Sequence, residues 1–148
     1  DRIHYLNIHS QKELAATYRF LADRGSVFAL TAFYEPFGLA PIEAAACGLA
    51  CVATCNGGPS EIFEDGSGIL VDPFDSGAIA GGLLTALNNH ADLSERARQR
   101  VLNMYTWDKT AEAYLGVIKE GVAAGGDAGG DIPPLDAGDR ITDYLINS

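Results

Sequence analysis

The chain has 148 residues, 47% of them apolar and 20% charged, a composition that supports one packed domain plus a tail and argues against global disorder. Ten Lys and Arg against twenty Asp and Glu leave a formal charge of -10, so neither nucleic acid nor an anionic membrane is expected as the primary partner, because phosphate backbones need a basic footprint. No apolar run reaches membrane-spanning length, and no membrane span is expected.

The first residue is Asp1 and no basic-then-apolar leader follows, which is the pattern expected of a fragment or a processed chain. Residues 3–8 form a short apolar run with strand character. Ser10 and Glu13 then make a capping box in which each side chain answers an orphan N–H. Leu14, Tyr18 and Leu21 share one face of the helix, which Gly25 ends. The next strand covers 27–32. The loop Glu35-Pro36-Phe37-Gly38 leads into a small-residue helix over 39–47, stopped at Gly48. A third strand covers 49–54, Asn56-Gly57-Gly58-Pro59 is a loop, 60–64 a helical turn, and 68–71 a fourth strand stopped by Asp72-Pro73. Asp75 caps a helix carrying Ile79, Leu83, Leu84 and Leu87; a further helix covers 93–104. Thr106 caps a last helix over 107–120, whose Trp107, Ala111, Tyr114, Leu115 and Ile118 are expected to face inward.

Composition then changes. Residues 121–131 read as a Gly/Ala/Asp-rich linker, and 132–148 as a tail or the start of a following domain. Residues 1–120 alternate strands and helices, which predicts an α/β fold: a Rossmann-like parallel sheet with helices on both faces. Four strands is few for that architecture, so the sheet is expected to lack its first strands. Such folds bind ligands beyond the carboxyl ends of their strands.

The informative stretch runs from Glu35 through Gly38 and Pro41 to Glu43. Gly38 lets a ligand approach the backbone, and Pro41 lies in the first helical turn, where its missing N–H costs nothing. The N–H groups of Phe37, Gly38 and Leu39 are expected to point at open space with partial positive charge, a cradle for phosphate oxygens. Glu43 lies roughly 6 Å along the axis and tilts back towards the cradle. As an acceptor-only group it suits the vicinal hydroxyls of a ribose. Glu35, on the other side, suits the hydroxyls of a sugar on the far phosphate. The spacing therefore fits a nucleoside diphosphate-sugar. Against this stands the ordinary reading: two solvated glutamates, Glu43 merely favouring the helix N-terminus by about 0.3–1 kcal/mol.

Three other features have ordinary readings. Cys47, Cys51 and Cys55 are odd in number and local, so they suit a cytosolic protein with small buried thiols better than a disulfide framework or a metal site. Asn56-Gly57-Gly58-Pro59 is either a loop whose glycines admit a ligand or simple turn chemistry. Arg96, Arg98 and Arg100, mixed with Glu95, suit a solvated helix face. Neither a Gly-x-Gly-x-x-Gly nor a P-loop occurs, which removes the main support for dinucleotide oxidoreductases and P-loop NTPases.

The whole string is denser than a chance pair of glutamates. Phe33-Tyr34-Glu35-Pro36-Phe37-Gly38-Leu39, Glu43-Ala44, Gly48-Leu49, Val52-Ala53-Thr54, Asn56-Gly57-Gly58-Pro59, Glu61-Ile62, Gly68 to Pro73 and Tyr105-Thr106-Trp107 together resemble the C-terminal, donor-binding half of a retaining glycosyltransferase of the GT-B fold. The likeness is to the sucrose-phosphate synthase and mannosylfructose-phosphate synthase branch of family 4, over roughly residues 1–120. The resemblance implies that Glu35 holds the transferred sugar and is the catalytic-site glutamate, though not a nucleophile. It also implies that Glu43 holds the ribose and that Phe37, Gly38 and Leu39 offer backbone contacts. It implies hexose transfer from a UDP or GDP sugar to an acceptor sugar or sugar phosphate, with no cofactor and no metal.

The family's basic pair for the diphosphate has no counterpart here; Lys12, Arg19 and Arg24 lie on the first helix instead. The acceptor-binding N-terminal domain is also missing. The chain is thus expected to be part of an enzyme and inactive alone. Two other functions remain open: a glycoside hydrolase using Glu35 and Glu43, which needs carboxyl groups about 5–5.5 Å or about 6.5–9.5 Å apart, and a non-catalytic nucleotide-sugar-binding module.

Overall fold

Three short parallel strands, β1 (Val27–Leu30), β2 (Ala50–Thr54) and β3 (Ile69–Val71), lie side by side in chain order in a computed structural model that describes residues 3–123. Val27 pairs with Ala50 and Val52 with Ile69. Every residue of β2 is buried, which explains why its sequence is continuously apolar instead of alternating. Its side chains still go to opposite faces by turns. Cys51 and Ala53 join a cluster with Ala44, Ala45, Leu49, Ile62, Phe63, Ala97 and Val101, while Ala50 and Val52 join Val71, Ala86 and Leu93.

The helices are α1 (Gln11–Ala22), α2 (Leu39–Ala46), α3 (Gly58–Ile62), α4 (Ser76–Asn88), α5 (His90–Met104) and α6 (Trp107–Ala123). The first cluster takes in α1, α2 and most of α5; the second takes in α4. Helices therefore cover both faces, as the alternating pattern predicts. Local signals place most boundaries. The Asp75 carboxylate accepts the Gly77 and Ala78 N–H groups at 2.8 and 3.1 Å, and Pro59 sits in the first turn of α3. The box at α1 reaches one residue further than expected: Ser10 accepts the Glu13 N–H, but Glu13 accepts that of His9.

Residues 3–9 correct the expected first strand. They are irregular, with Ile3, Tyr5 and Leu6 exposed, because a strand exists only through a ladder and β1 pairs within the sheet to β2 alone. The chain divides into two compact units, Asp1–Ala111 and Glu112–Ser148. The sheet and α1 to α5 belong to the first. Of the second, helical residues 112–123 are described, so the tail over 132–148 and most of the 121–131 linker lie outside the described residues. Of the residues of α6 expected to face inward, Trp107, in the first unit, is 89% exposed. A 3.6-residue period makes a face but does not supply what covers it.

Candidate functional site at the head of α2

The chain leaves β1 at the carboxyl edge of the sheet and turns into α2 through Gly38. Gly38 caps the helix with a left-handed φ of 81°, a conformation that disfavours other residues. Phe37 and Leu39, on either side of it, are exposed, so the head of the helix opens to solvent.

Its amides differ from the expectation in one respect. One oxygen of the Glu35 carboxylate accepts both the Phe37 N–H, at 3.2 Å, and the Gly38 N–H, at 3.0 Å. Two of the three expected free donors thus already converge on an oxyanion, and the chain supplies it. The attraction is the expected one, a negative oxygen at the positive end of a helix. Leu39 N–H has no acceptor among the described residues.

Glu43 lies one turn into α2, half-buried, and its carboxylate makes no hydrogen bond or ion pair among the described residues. It stands between two clefts. One, of about 360 Å³, is lined by Leu39, Ile42, Glu43, Tyr105, Thr106, Trp107 and Thr110. The other, of about 190 Å³, lies towards α1, beside Leu14, Tyr18 and Cys47. Burial pushes the Tyr18 phenol up, and the nearby Glu43 charge adds to that shift. The structure therefore brings Leu39 and Glu43 to one cleft. Glu35 lies on the amides ahead of the helix and lines neither cleft. Tyr105, Thr106, Trp107 and Thr110 are additions to the site. The sequence signal for them was only the Tyr105-Thr106-Trp107 string, with no chemistry attached.

The loop after β2 meets the loop after β1. Glu35 N–H donates to the Asn56 carbonyl at 3.1 Å, Gly58 N–H donates to the Glu35 carbonyl at 2.8 Å, and the Asn56 side-chain amide donates to the Phe33 carbonyl at 3.0 Å. Beside them the exposed rings of Phe33 and Phe74 stack with centroids 4.7 Å apart.

At the far end of α2, Arg96 and Arg98 of α5 are exposed, as expected of a solvated face, and Arg100 is half-buried, but all three also have backbone partners. Arg98 donates to the Ala46 carbonyl, Arg96 to the Asp65 carbonyl, and Arg100 to the carbonyls of Ile62 and Glu61 while pairing with Glu64 at 2.9 Å. Their long stems reach backbone acceptors on neighbouring elements. The cysteines also divide. Cys51 is buried and its thiol is pushed up to about 12 by that burial, whereas Cys47 is half-buried and Cys55, beyond the end of β2, is exposed. Among the described residues no group of three or more His, Cys, Asp or Glu is placed to hold a metal ion, and no helix is long and apolar enough to cross a membrane.

Comparison with known proteins gives this geometry a context. The family described as glycosyl transferases group 1 matches residues 1–103. A probable sucrose-phosphate synthase of Thermosipho melanesiensis is 45% identical over 117 residues, covering 78% of this chain and 27% of that protein. Sucrose synthase 2 of Arabidopsis thaliana is 41% identical over 106 residues, covering 66% and 13%. Among solved structures, a sucrose-phosphate synthase from Thermosynechococcus elongatus superimposes with a TM-score of 0.68 at 29% identity, covering 83% of this chain and 31% of that one. The chain thus spans about a quarter or less of the length of these curated relatives. Its three-stranded sheet with helices is a part of the GT-B architecture.

Proposed function

Since the chain belongs to the glycosyl transferases group 1 family, we propose that it is the donor-binding part of a retaining hexosyltransferase that moves a hexose from a UDP or GDP sugar to an acceptor sugar or sugar phosphate, in the manner of sucrose-phosphate synthase. Residues 1–120 are the nucleotide-sugar-binding region, 121–131 a linker, and 132–148 a tail or the beginning of another domain. The acceptor is held by an N-terminal GT-B domain that this chain does not include. The reaction takes place in the cytosol, a reading supported by three unpaired cysteines.

The observation that carries the proposal is the open head of α2: Leu39, whose amide is unclaimed, and Glu43, whose carboxylate is unpaired among the described residues, line one cleft. The diphosphate meets the helix head. Its oxygens take the Leu39 N–H and exchange with Glu35 at the Phe37 and Gly38 amides. The displaced Glu35 carboxylate accepts hydroxyls of the sugar, and Glu43 accepts those of the ribose. In the transfer step the bond between the anomeric carbon and the phosphate oxygen breaks, and an acceptor hydroxyl oxygen bonds to that carbon on the same face while its proton passes to the departing phosphate oxygen. The amides then stabilise the charge that grows on the departing phosphate. Glu35 orients the sugar and forms no covalent bond to it. A hydrolase needs both carboxylates facing one bond, whereas one oxygen of Glu35 is held by the Phe37 and Gly38 amides.

Calorimetry of the chain with UDP, GDP and ADP tests the donor site. Binding of one diphosphate, weakened about tenfold or more in Glu43→Ala, is the expected result. An intact chain that binds none of the three, or unchanged affinity in the Glu43→Ala variant, contradicts the assignment. Free hexose released from a nucleotide sugar without an acceptor would instead identify a hydrolase.

A further inference from the structure

We infer that Asn56 is a positioning residue for Glu35: from the loop after β2 it clamps the backbone that carries the sugar-holding carboxylate. This rests on the reading of Glu35 given above. The clamp is anchored in the core. Thr54, at the end of β2, is fully buried, and its hydroxyl accepts the Asn56 N–H at 3.2 Å. From that anchor Asn56 reaches out with both of its polar ends. Its carbonyl accepts the Glu35 N–H, and its side-chain amide donates to the Phe33 carbonyl. Gly58 N–H closes the pairing on the Glu35 carbonyl, and Glu35 and Gly57 form a single parallel bridge. The Ser60 hydroxyl in turn holds the Gly57 carbonyl at 2.7 Å.

The two loops approach so closely that side chains are excluded. Gly57 has a φ of 101°, and a Cβ there would run into the Glu35 carbonyl; one on Gly58 would run into that of Phe37. Gly57 thus supplies the positive φ that turn chemistry asks for, and both glycines of this loop also admit the neighbouring backbone. The segment being clamped exposes Phe33, Tyr34 and Phe37, and beyond the clamp it has the Phe33 stack on Phe74 and the local Glu35 carboxylate bonds. Asparagine is the fitting residue because it must donate to a carbonyl. An aspartate has no donor and would set its charge against the Phe33 carbonyl.

The test uses the isotopically labelled full chain, intact and as Asn56→Asp and Asn56→Ala. Amide hydrogen exchange at Glu35, Phe37 and Gly38 is expected to accelerate about tenfold, the loss of roughly one hydrogen bond, while Ala53 in β2 and Ala45 in α2 exchange as before. Preference for UDP-glucose over UDP should fall with it, and affinity for UDP itself should stay. Unchanged exchange around Glu35, or acceleration spread equally into β2 and α2, overturns the inference, the second because it marks general destabilisation. So does a retained sugar preference. If the intact chain binds UDP and UDP-glucose equally, the sugar role of Glu35 fails, and the exchange rates alone decide whether Asn56 holds the loop.

Discussion

At its C-terminal end α2 has a donor for each of its last four carbonyls: Cys47 N–H serves Glu43 and Ala44, Leu49 N–H serves Ala44 again, Gly48 N–H serves Ala45, and Arg98 serves Ala46. At its N-terminal end Leu39 N–H is unclaimed among the described residues, and the amides of Phe37 and Gly38 are held by a carboxylate three residues upstream at most. Both ends begin with the same deficit of partners. One is sealed by the fold, with Ala44 and Ala45 fully buried beside it; at the other Gly38 and Pro41 are buried but Phe37 and Leu39 are left in solvent. The difference teaches how such a site is afforded: every carbonyl at one end is taken by the fold, while at the other the buried Gly38 and Pro41 hold the first turn and leave the Leu39 amide unclaimed among the described residues.

The largest expected effect breaks the braced side. Phe63 is 1% exposed in the cluster that holds Ala44, Ala45 and Val101, and Phe63→Ala should cost about 3–5 kcal/mol, read from the denaturant midpoint. The same truncation at the open end, Phe37→Ala, should stay within about 0.5 kcal/mol of the intact chain. Equal losses at the two positions would erase the contrast.

A smaller effect sharpens it. Burial alone would raise the Asp65 carboxyl, but the hydrogen bond from the Ser67 N–H and the charges of Arg100 and Arg96 outweigh it and hold the group below its ordinary 3.8. A depressed acid contributes its stability above the ordinary value and loses it as pH falls through the lowered one. The side chain is 40% exposed, so solvent screening limits the contribution to about 0.5 kcal/mol. Acid titration of stability should therefore be slightly steeper in the intact chain than in Asp65→Asn. Parallel curves would show that the Asp65 charge adds nothing to stability.

What was legible in the sequence was local. The capping pairs at Ser10 and Asp75, the stop at Gly48 and the small-residue run of α2 involve residues within a turn or so of one another, and the structure keeps them. The parallel sheet was legible because three apolar runs alternate with helices. What was not legible depends on partners distant in the chain. Residues 3–9 have the composition of a strand but no ladder, and the arginines of α5 find carbonyls 31 to 52 positions away. The site follows the same division. Gly38, Leu39 and Glu43 could be placed from helix geometry alone. The hold of Asn56 on Glu35 could not, since it joins two loops 21 positions apart. The Glu35 carboxylate on its own following amides is the exception: it is local, and the short turn through Pro36 is the signal that could have found it.

The most direct test of the central claim is a titration of the labelled chain with UDP, followed at the backbone amides of α2. The largest shifts are expected at Leu39 and at the Phe37 and Gly38 amides that Glu35 gives up, with Cys47 and Gly48 unmoved. Shifts centred elsewhere, or spread evenly along the helix, would contradict an anion held at its open end.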